Sequence, residues 1–262
     1  MNYYGPQRFG SPRFLSHLFG LYLFHGDIDG LLKAYFVEES PFEWPYITDL
    51  RRKASAVFGD WKKMGEIFKT LPYTFRLENT LLAELEKTNN RDYYRILGSI
   101  SKQVDLWAKA YSSYLANRAL SFASVDQPVN ENIPLVMSRD GKAHLFYEKY
   151  LREDGTENFI DNLRKLPFIY LAKSQTIETR FYPDIKGVKT LPEGVAISFD
   201  LIKGAYATTV LMHLFDTLGD IPVPEWVNTD FIDTKKVLGS GSSEEIKARL
   251  GSLLEKMIAG RN

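Results

Sequence analysis

Residues 2–10, Asn2-Tyr3-Tyr4-Gly5-Pro6-Gln7-Arg8-Phe9-Gly10, combine aromatics, two amides, an arginine and two glycines without helical or strand periodicity. Gly5 and Gly10 can take positive φ or admit another backbone at close range, Tyr4 offers a flat face, Arg8 a forked cation, and Asn2 and Gln7 a donor and an acceptor each. Such a set suits a nucleobase and its phosphate. The same residues also read as a glycine-bounded aromatic turn packed on a core, and one short motif does not decide between the two. Elsewhere the chain has no independent catalytic constellation. His17, His25, His144 and His213 lack metal-ligand spacing and are expected to be packed or surface residues. No P-loop, dinucleotide-binding or serine-elbow motif is present.

The stretch resembles the N-x-F-G-x-Q-R-F-G signature of the TruD family of tRNA pseudouridine synthases, departing only at Tyr4, where the family usually has Phe. Two further stretches follow in the family's order. Ala110-Tyr111-Ser112-Ser113-Tyr114-Leu115-Ala116-Asn117-Arg118 is similar to its A-Y-Q-S-Y-L-F-N helix, with Ala116 in place of the family's usual Phe. Phe199-Asp200-Leu201-Ile202-Lys203-Gly204-Ala205-Tyr206-Ala207-Thr208-Thr209-Val210-Leu211 is similar to its closing F-x-L-P-x-G-S-Y-A-T-x-x-L strand-turn-helix.

The resemblance implies isomerisation of a uridine in tRNA to pseudouridine, with no cofactor and no metal. It makes Asn2, Tyr4, Arg8, Phe199 and Tyr206 the expected substrate contacts. Tyr4 and Tyr206 would stack on a flipped base, Asn2 would orient the sugar or the nucleophile, and Arg8 would hold a phosphate or brace the loop. The helix over 104–122 would brace the active centre. The family's nucleophilic aspartate lies in a G-x-K-D-x-x-A-type motif upstream of the N-x-F-G stretch. No aspartate here has that context, so the catalytic residue is expected outside this chain, in a missing N-terminal half. Two alternatives stay open: a non-catalytic RNA-binding relic, and a helical-repeat scaffold for protein partners.

Composition is compatible with these readings. A chain of 262 residues, 44% hydrophobic and 14% aromatic, can bury a full core and divide into two units. Lys and Arg total 33 and Asp and Glu 33, so RNA contact would rest on a local basic patch. The absence of cysteine excludes thiolate metal sites, cysteine nucleophiles and disulfides. With no apolar stretch of membrane-spanning length and no signal-peptide pattern, a cytoplasmic protein is expected.

These residues need elements to position them. Apolar spacing predicts a helix from Pro12 to His25 stopped by Gly26, then one capped by Asp27, others around 47–58, 61–68 and 77–85, and helical pattern from Asp92 to Ala123. The Gly-Asp starts at Asp27 and Asp60 lie 33 residues apart (60 − 27), a helix-hairpin period. Residues 124–144 read as a loop or hairpin, with short helices after it. Residues 168–172, 177–185 and 195–201 read as strands, the last with Val195, Ile197, Phe199 and Leu201 on one face. The turn at Gly204 leads into a helix from Ala207, whose N-terminus would favour a phosphate near 205–208. A linker over 219–241 precedes a capped amphipathic helix with Ile246, Leu250, Leu253, Leu254, Met257 and Ile258 in one stripe.

The fold class expected is α+β, part of a mixed α/β catalytic domain interrupted by a largely helical insertion. The division places catalytic-domain segments at 1–14 and 176–217, the insertion at 15–175, and the linker with its terminal helix at 218–262.

Overall fold

The computed structural model describes residues 1–88, 92–122, 130–192, 194–215 and 232–259, with side chains to residue 252. They form an α+β fold in two compact units, 1–180 and 181–262.

In the first unit, α1 (Ser16–His25), α2 (Ile28–Val37), α3 (Pro45–Ala56), α4 (Trp61–Phe68), α5 (Arg76–Thr88) and α6 (Tyr93–Gly98) each pack on the next, and α7 (Ser101–Ser121) returns along α1. Local chemistry fixes most of these ends. At the end of α1, Gly26 takes φ +73, its N–H bonds to Leu23 O at 3.1 Å and the Asp27 N–H to Tyr22 O at 3.0 Å, which satisfies two orphan carbonyls. Asp27, Asp60 and Asp92 then cap α2, α4 and α6, accepting from the N–H groups of Gly30, Lys63 and Arg95 at 2.8, 3.1 and 3.0 Å. A third aspartate start thus follows the two read from the sequence. Closure of α7 on α1 makes the array a bundle.

The crossing of α1 and α7 depends on Gly20. A Cβ there would strike the Trp107 carbonyl oxygen and lie 2.7 Å from Tyr111 Cβ, so backbone would have to move. Gly20→Ala is therefore expected to destabilise the protein by about 1–3 kcal/mol, the usual cost of overpacking. Urea unfolding reads it, and an unchanged midpoint would show that α1 and α7 can separate freely. Around this crossing, α7 buries Val104, Trp107, Ala108, Tyr111 and Leu115 in one core, and Ala116 and Leu120 in a smaller one with Ile133 and Leu135.

Beyond α7 come β1 (Asn132–Pro134), α8 (Gly141–Phe146), α9 (Glu148–Glu153), α10 (Phe159–Arg164) and β2 (Thr176–Glu178). β1 pairs antiparallel with β2, Ile133 opposite Ile177, so the turn-rich stretch makes a long-range pair where a local hairpin was one expectation. Phe24 of α1 stacks on Phe159 of α10, ring centroids 4.8 Å apart.

Several expectations shift. α1 begins at Ser16 instead of Pro12, because Gly10 (φ +83) and Phe14 (φ +56) turn the chain first. Along α6 and α7, Ile96, Trp107 and Ala108 are buried, while Tyr94 and Leu106 are 58% and 47% exposed. Residues 168–172 form no strand. Ile169 and Leu171 are buried in a connecting segment whose one bridge joins Ser138 and Ala172.

The second unit contains β3 (Asp184–Leu191) and β4 (Gly194–Asp200), an antiparallel pair with an irregularity between Ile185 and Gly187. Its buried β4 residue is Ala196, while on the face with Val195, which is 46% exposed, Ile197 and Phe199 are half-buried. Gly204 at φ +97 turns the chain into α11 (Ala207–Leu214). α12 (Thr234–Val237) and α13 (Ser243–Ala259) follow. Ser242 and Glu245 form a reciprocal box at the start of α13, Ser242 Oγ accepting from the Glu245 N–H and Glu245 Oε2 from the Ser242 N–H. Ile246 and Leu250 are exposed, and the rest of the stripe, Leu253 to Ile258, lies outside the described side chains, as do 216–231 of the expected linker. No helix among the described residues is long and apolar enough to cross a membrane.

Candidate nucleic-acid site around Tyr4

The aromatic-glycine loop is pinned at its start by hydrogen bonds distant in sequence. Asn2, buried, donates its backbone N–H to Thr179 O at 2.9 Å and its amide to Glu178 O at 2.8 Å, which extends the β1–β2 pair. Asn117 on α7 clamps the backbone of Tyr4: its Oδ1 accepts from the Tyr4 N–H and its Nδ2 donates to the Tyr4 carbonyl, both at 2.9 Å. After the clamps, residues Pro6–Phe9 form a 3-10 turn, and the Arg8 N–H closes on Gly5 O at 3.0 Å. At Gly10 a Cβ would collide with the Ser16 hydroxyl and φ is +83, so both space and backbone call for glycine. The Tyr4 ring is thus presented from a fixed backbone, with the Arg8 guanidinium carbon 5.4 Å from its centroid.

Tyr4 borders two clefts of opposite character. The first holds about 470 Å³ and is walled by Tyr4, Phe9, Phe14, His17, Phe42 and Tyr114. Phe14 sits in the left-handed region and meets Phe42 edge-on at 5.2 Å. His17 lies edge-on to Phe9 at 5.4 Å and tilted against Tyr114 at 5.0 Å. Burial lowers the His17 pKa, opposed in part by its hydrogen bond to Phe14 backbone, so it stays a neutral ring at pH 7, and its Nδ1 is buried without a partner. The second cleft holds about 80 Å³ and is polar, bringing Arg8 and Lys109 together with Ser112, Ser113 and Gln175. Among the described residues no carboxylate lines either cleft.

The polar cluster of α7 divides by role. Ser112 and Ser113 are buried, and Ser113 Oγ donates to Lys109 O at 2.8 Å. Arg118 is engaged away from the loop: it pairs with Asp154 and Glu153 at 2.7 Å each and lies over Tyr150 at 4.6 Å. Ala116 is fully buried in the small core against which Tyr3 and Tyr4 pack.

In the second unit, Phe199 stands on β4 opposite Ile185, and Tyr206 is the N-cap residue of α11, whose first turn holds the Thr208 hydroxyl buried without a partner. The structure brings Asn2, Tyr4 and Arg8 into one loop and adds Phe14, His17, Phe42, Tyr114 and Lys109, which the sequence did not single out. Phe42, which walls the aromatic cleft, is 61% exposed, and no local sequence signal marks it. Among the described residues no group of three or more His, Asp or Glu could hold a metal ion.

Comparison with known proteins places these features in a family. The family model for tRNA pseudouridine synthase D (TruD) matches residues 1–144. The chain is 33% identical over 241 residues to a probable tRNA pseudouridine synthase D of Pyrobaculum islandicum, covering 81% of this chain and 56% of that protein. It is 30% identical over 219 residues to one of Saccharolobus solfataricus (80% and 54%) and 27% identical over 240 residues to one of Methanopyrus kandleri (83% and 58%). The chain therefore spans somewhat over half the length of these relatives. The fold is similar to the crystal structure of a putative tRNA pseudouridine synthase D from Methanosarcina mazei, with a TM-score of 0.60 at 20% identity over 80% of this chain and 59% of that one. From the clamped loop to the matched profile, these observations agree: the chain belongs to the tRNA pseudouridine synthase D (TruD) family.

Proposed function

We propose that this chain is the base-positioning part of a tRNA pseudouridine synthase, acting on a uridine swung out of the RNA stack. The observation that carries this is Tyr4, fixed by Asn117 between an aromatic cleft and a small cleft holding Arg8 and Lys109. Extruding a base costs a few kcal/mol unless it is already unpaired, and stacking returns about 1–3 kcal/mol per base. Tyr4 supplies such a face in the first unit, and Phe199 and Tyr206 of the second unit are further candidate contacts to the RNA substrate. Arg8 carries the phosphate, and Lys109 reinforces it although it is shared with Asp105 at 2.5 Å. Asn2, its amide nitrogen committed to Glu178 O, acts through its carboxamide oxygen on the ribose or the nucleophile. The positive end of the α11 dipole favours a neighbouring phosphate.

On this reading residues 1–14 and 176–217 are catalytic-domain segments, 15–175 the insertion, and 218–262 a linker and terminal helix. The nucleophilic aspartate comes from the part of the family's length that this chain does not span, which agrees with two clefts free of carboxylates. Tyr4→Ala is expected to weaken binding of a uridine-containing RNA by about 5- to 150-fold, the equivalent of one lost stack, and Tyr4→Phe to bind like the parent. Fluorescence anisotropy measures this, with circular dichroism as the control for folding. Equal affinities in a folded Tyr4→Ala protein would remove Tyr4 from the site.

A further inference from the structure

Away from Tyr4, a cavity of about 530 Å³ opens between α2, α3, α5 and the start of α7. Its floor is apolar, with Trp107, Phe19 and Tyr35 packed edgewise or tilted at 4.9–5.4 Å. Its rim carries Trp44, which is 60% exposed, and Phe75. Four charged side chains line it, Arg13, Glu43, Arg51 and Glu78, each nearly or fully buried.

The hydrogen bonds decide what such a cavity can hold. Arg51 forks onto both oxygens of Glu43 at 2.5 and 2.7 Å and spends Nη1 on the carbonyls of Tyr35 and Phe36. Arg13 spends its Nη atoms on Tyr35 O, Ala34 O and Glu38 O at the end of α2. Neither arginine retains a fork for a phosphate or carboxylate, and two arginines face two glutamates, so the pocket offers little to an anion. What remains is a single donor and a carboxyl. Arg13 Nε is fully buried, makes no hydrogen bond and lies 3.8 Å from Glu43 Oε2, beyond bonding range. Glu78 bonds the Tyr35 hydroxyl, and burial raises its pKa and that of Tyr35. Gln103 adds an amide at the same wall.

We propose that this cavity is a second nucleobase site that takes an unstacked guanine, held between Trp44 and the Trp107 floor. A neutral plane fits the compensated charge, an acceptor such as guanine O6 satisfies Arg13 Nε, and the adjacent N1–H and N2–H donors suit the Glu78 carboxyl. Adenine and cytosine lack that adjacent donor pair, and uracil has a single N–H. Guanine in this cavity does not depend on Tyr4 or on any pseudouridine chemistry.

The test adds guanosine, adenosine, cytidine, uridine and inorganic phosphate separately to the full chain and follows the indole N–H signals of Trp44 and Trp107 by NMR. Guanosine is expected to move both signals saturably, with the other nucleosides at least tenfold weaker and phosphate without effect. Glu78→Gln, which keeps size and a partner for Tyr35, is expected to weaken guanosine about tenfold, as loss of a hydrogen bond to a charged group would. Tyr4→Ala should leave guanosine binding unchanged, so failure here and failure of the Tyr4 site are separable. Absence of saturable shifts, equal shifts with all four nucleosides, preference for another base, a response to phosphate, or an unchanged affinity in a folded Glu78→Gln protein would each overturn the proposal.

Discussion

Incubated with tRNA, residues 1–262 alone are expected to form no pseudouridine. Cleaving the glycosidic bond and rejoining the base through carbon needs a nucleophile or base within bonding reach of the flipped nucleotide, and positioning contacts cannot substitute for that group. Among the described residues, the two clefts beside Tyr4 hold aromatic rings, hydroxyls, an amide and two cations, but no carboxylate. Carboxylates near α7 are already engaged: Asp105 with Lys109, and Asp154 with Arg118 and the Tyr111 hydroxyl at 2.6 Å. Supplying the remainder of the family's length, fused upstream or as a second chain, should restore activity from background to full turnover. Tritium release from position 5 of labelled uridine reads both arms. Turnover by residues 1–262 alone would mean that an internal aspartate serves, and would overturn the proposed division of labour; binding without recovery would favour an RNA-binding protein that no longer catalyses.

Helix boundaries were legible because their chemistry is local. An aspartate that bonds an N–H three residues on, or a glycine that takes positive φ at a helix end, needs only its own neighbourhood, and Gly26, Asp27 and Asp60 behave as read. The apolar run 168–172 misled for the opposite reason. Strand and buried connection have the same composition there, and the choice was made by Ser138 and by Asp105, whose Oδ1 accepts the Tyr170 N–H from 65 residues away. The site divides in the same way. Tyr4 and Arg8 could be picked out by type, but the clamp from Asn117, 113 residues distant, has no local signature. Likewise His17 and Tyr114 read as ordinary packed residues, and only the fold brings them into one wall with Phe42.

The largest effect on stability is expected at Arg51, a residue that sequence pattern places on an amphipathic helix and nothing more. Its side chain is completely buried, with Glu43 as ion-pair partner and the last carbonyls of α2 as acceptors. Removal of one member of a buried pair leaves the other charged and desolvated, which costs about 3–5 kcal/mol, whereas an apolar pair of similar volume is often neutral. Arg51→Ala should therefore lose about 3–5 kcal/mol in urea unfolding and carry the added burden of the Phe36 carbonyl, which loses its Arg51 donor while the Tyr35 carbonyl keeps Arg13 Nη1. Arg51→Lys should fall between the two, because a point charge cannot reproduce the fork onto both Glu43 oxygens. Replacing both partners, Arg51→Met with Glu43→Leu, should recover a large part of the loss, although the α2 carbonyls then rely on Arg13 alone. If the double variant is as unstable as Arg51→Ala, the helix-end hydrogen bonds and not the ion pair hold α2 against α3. If Arg51→Ala costs under about 1 kcal/mol, the range of an exposed pair, water reaches Glu43 through the cavity, and the charge is less buried than its geometry requires.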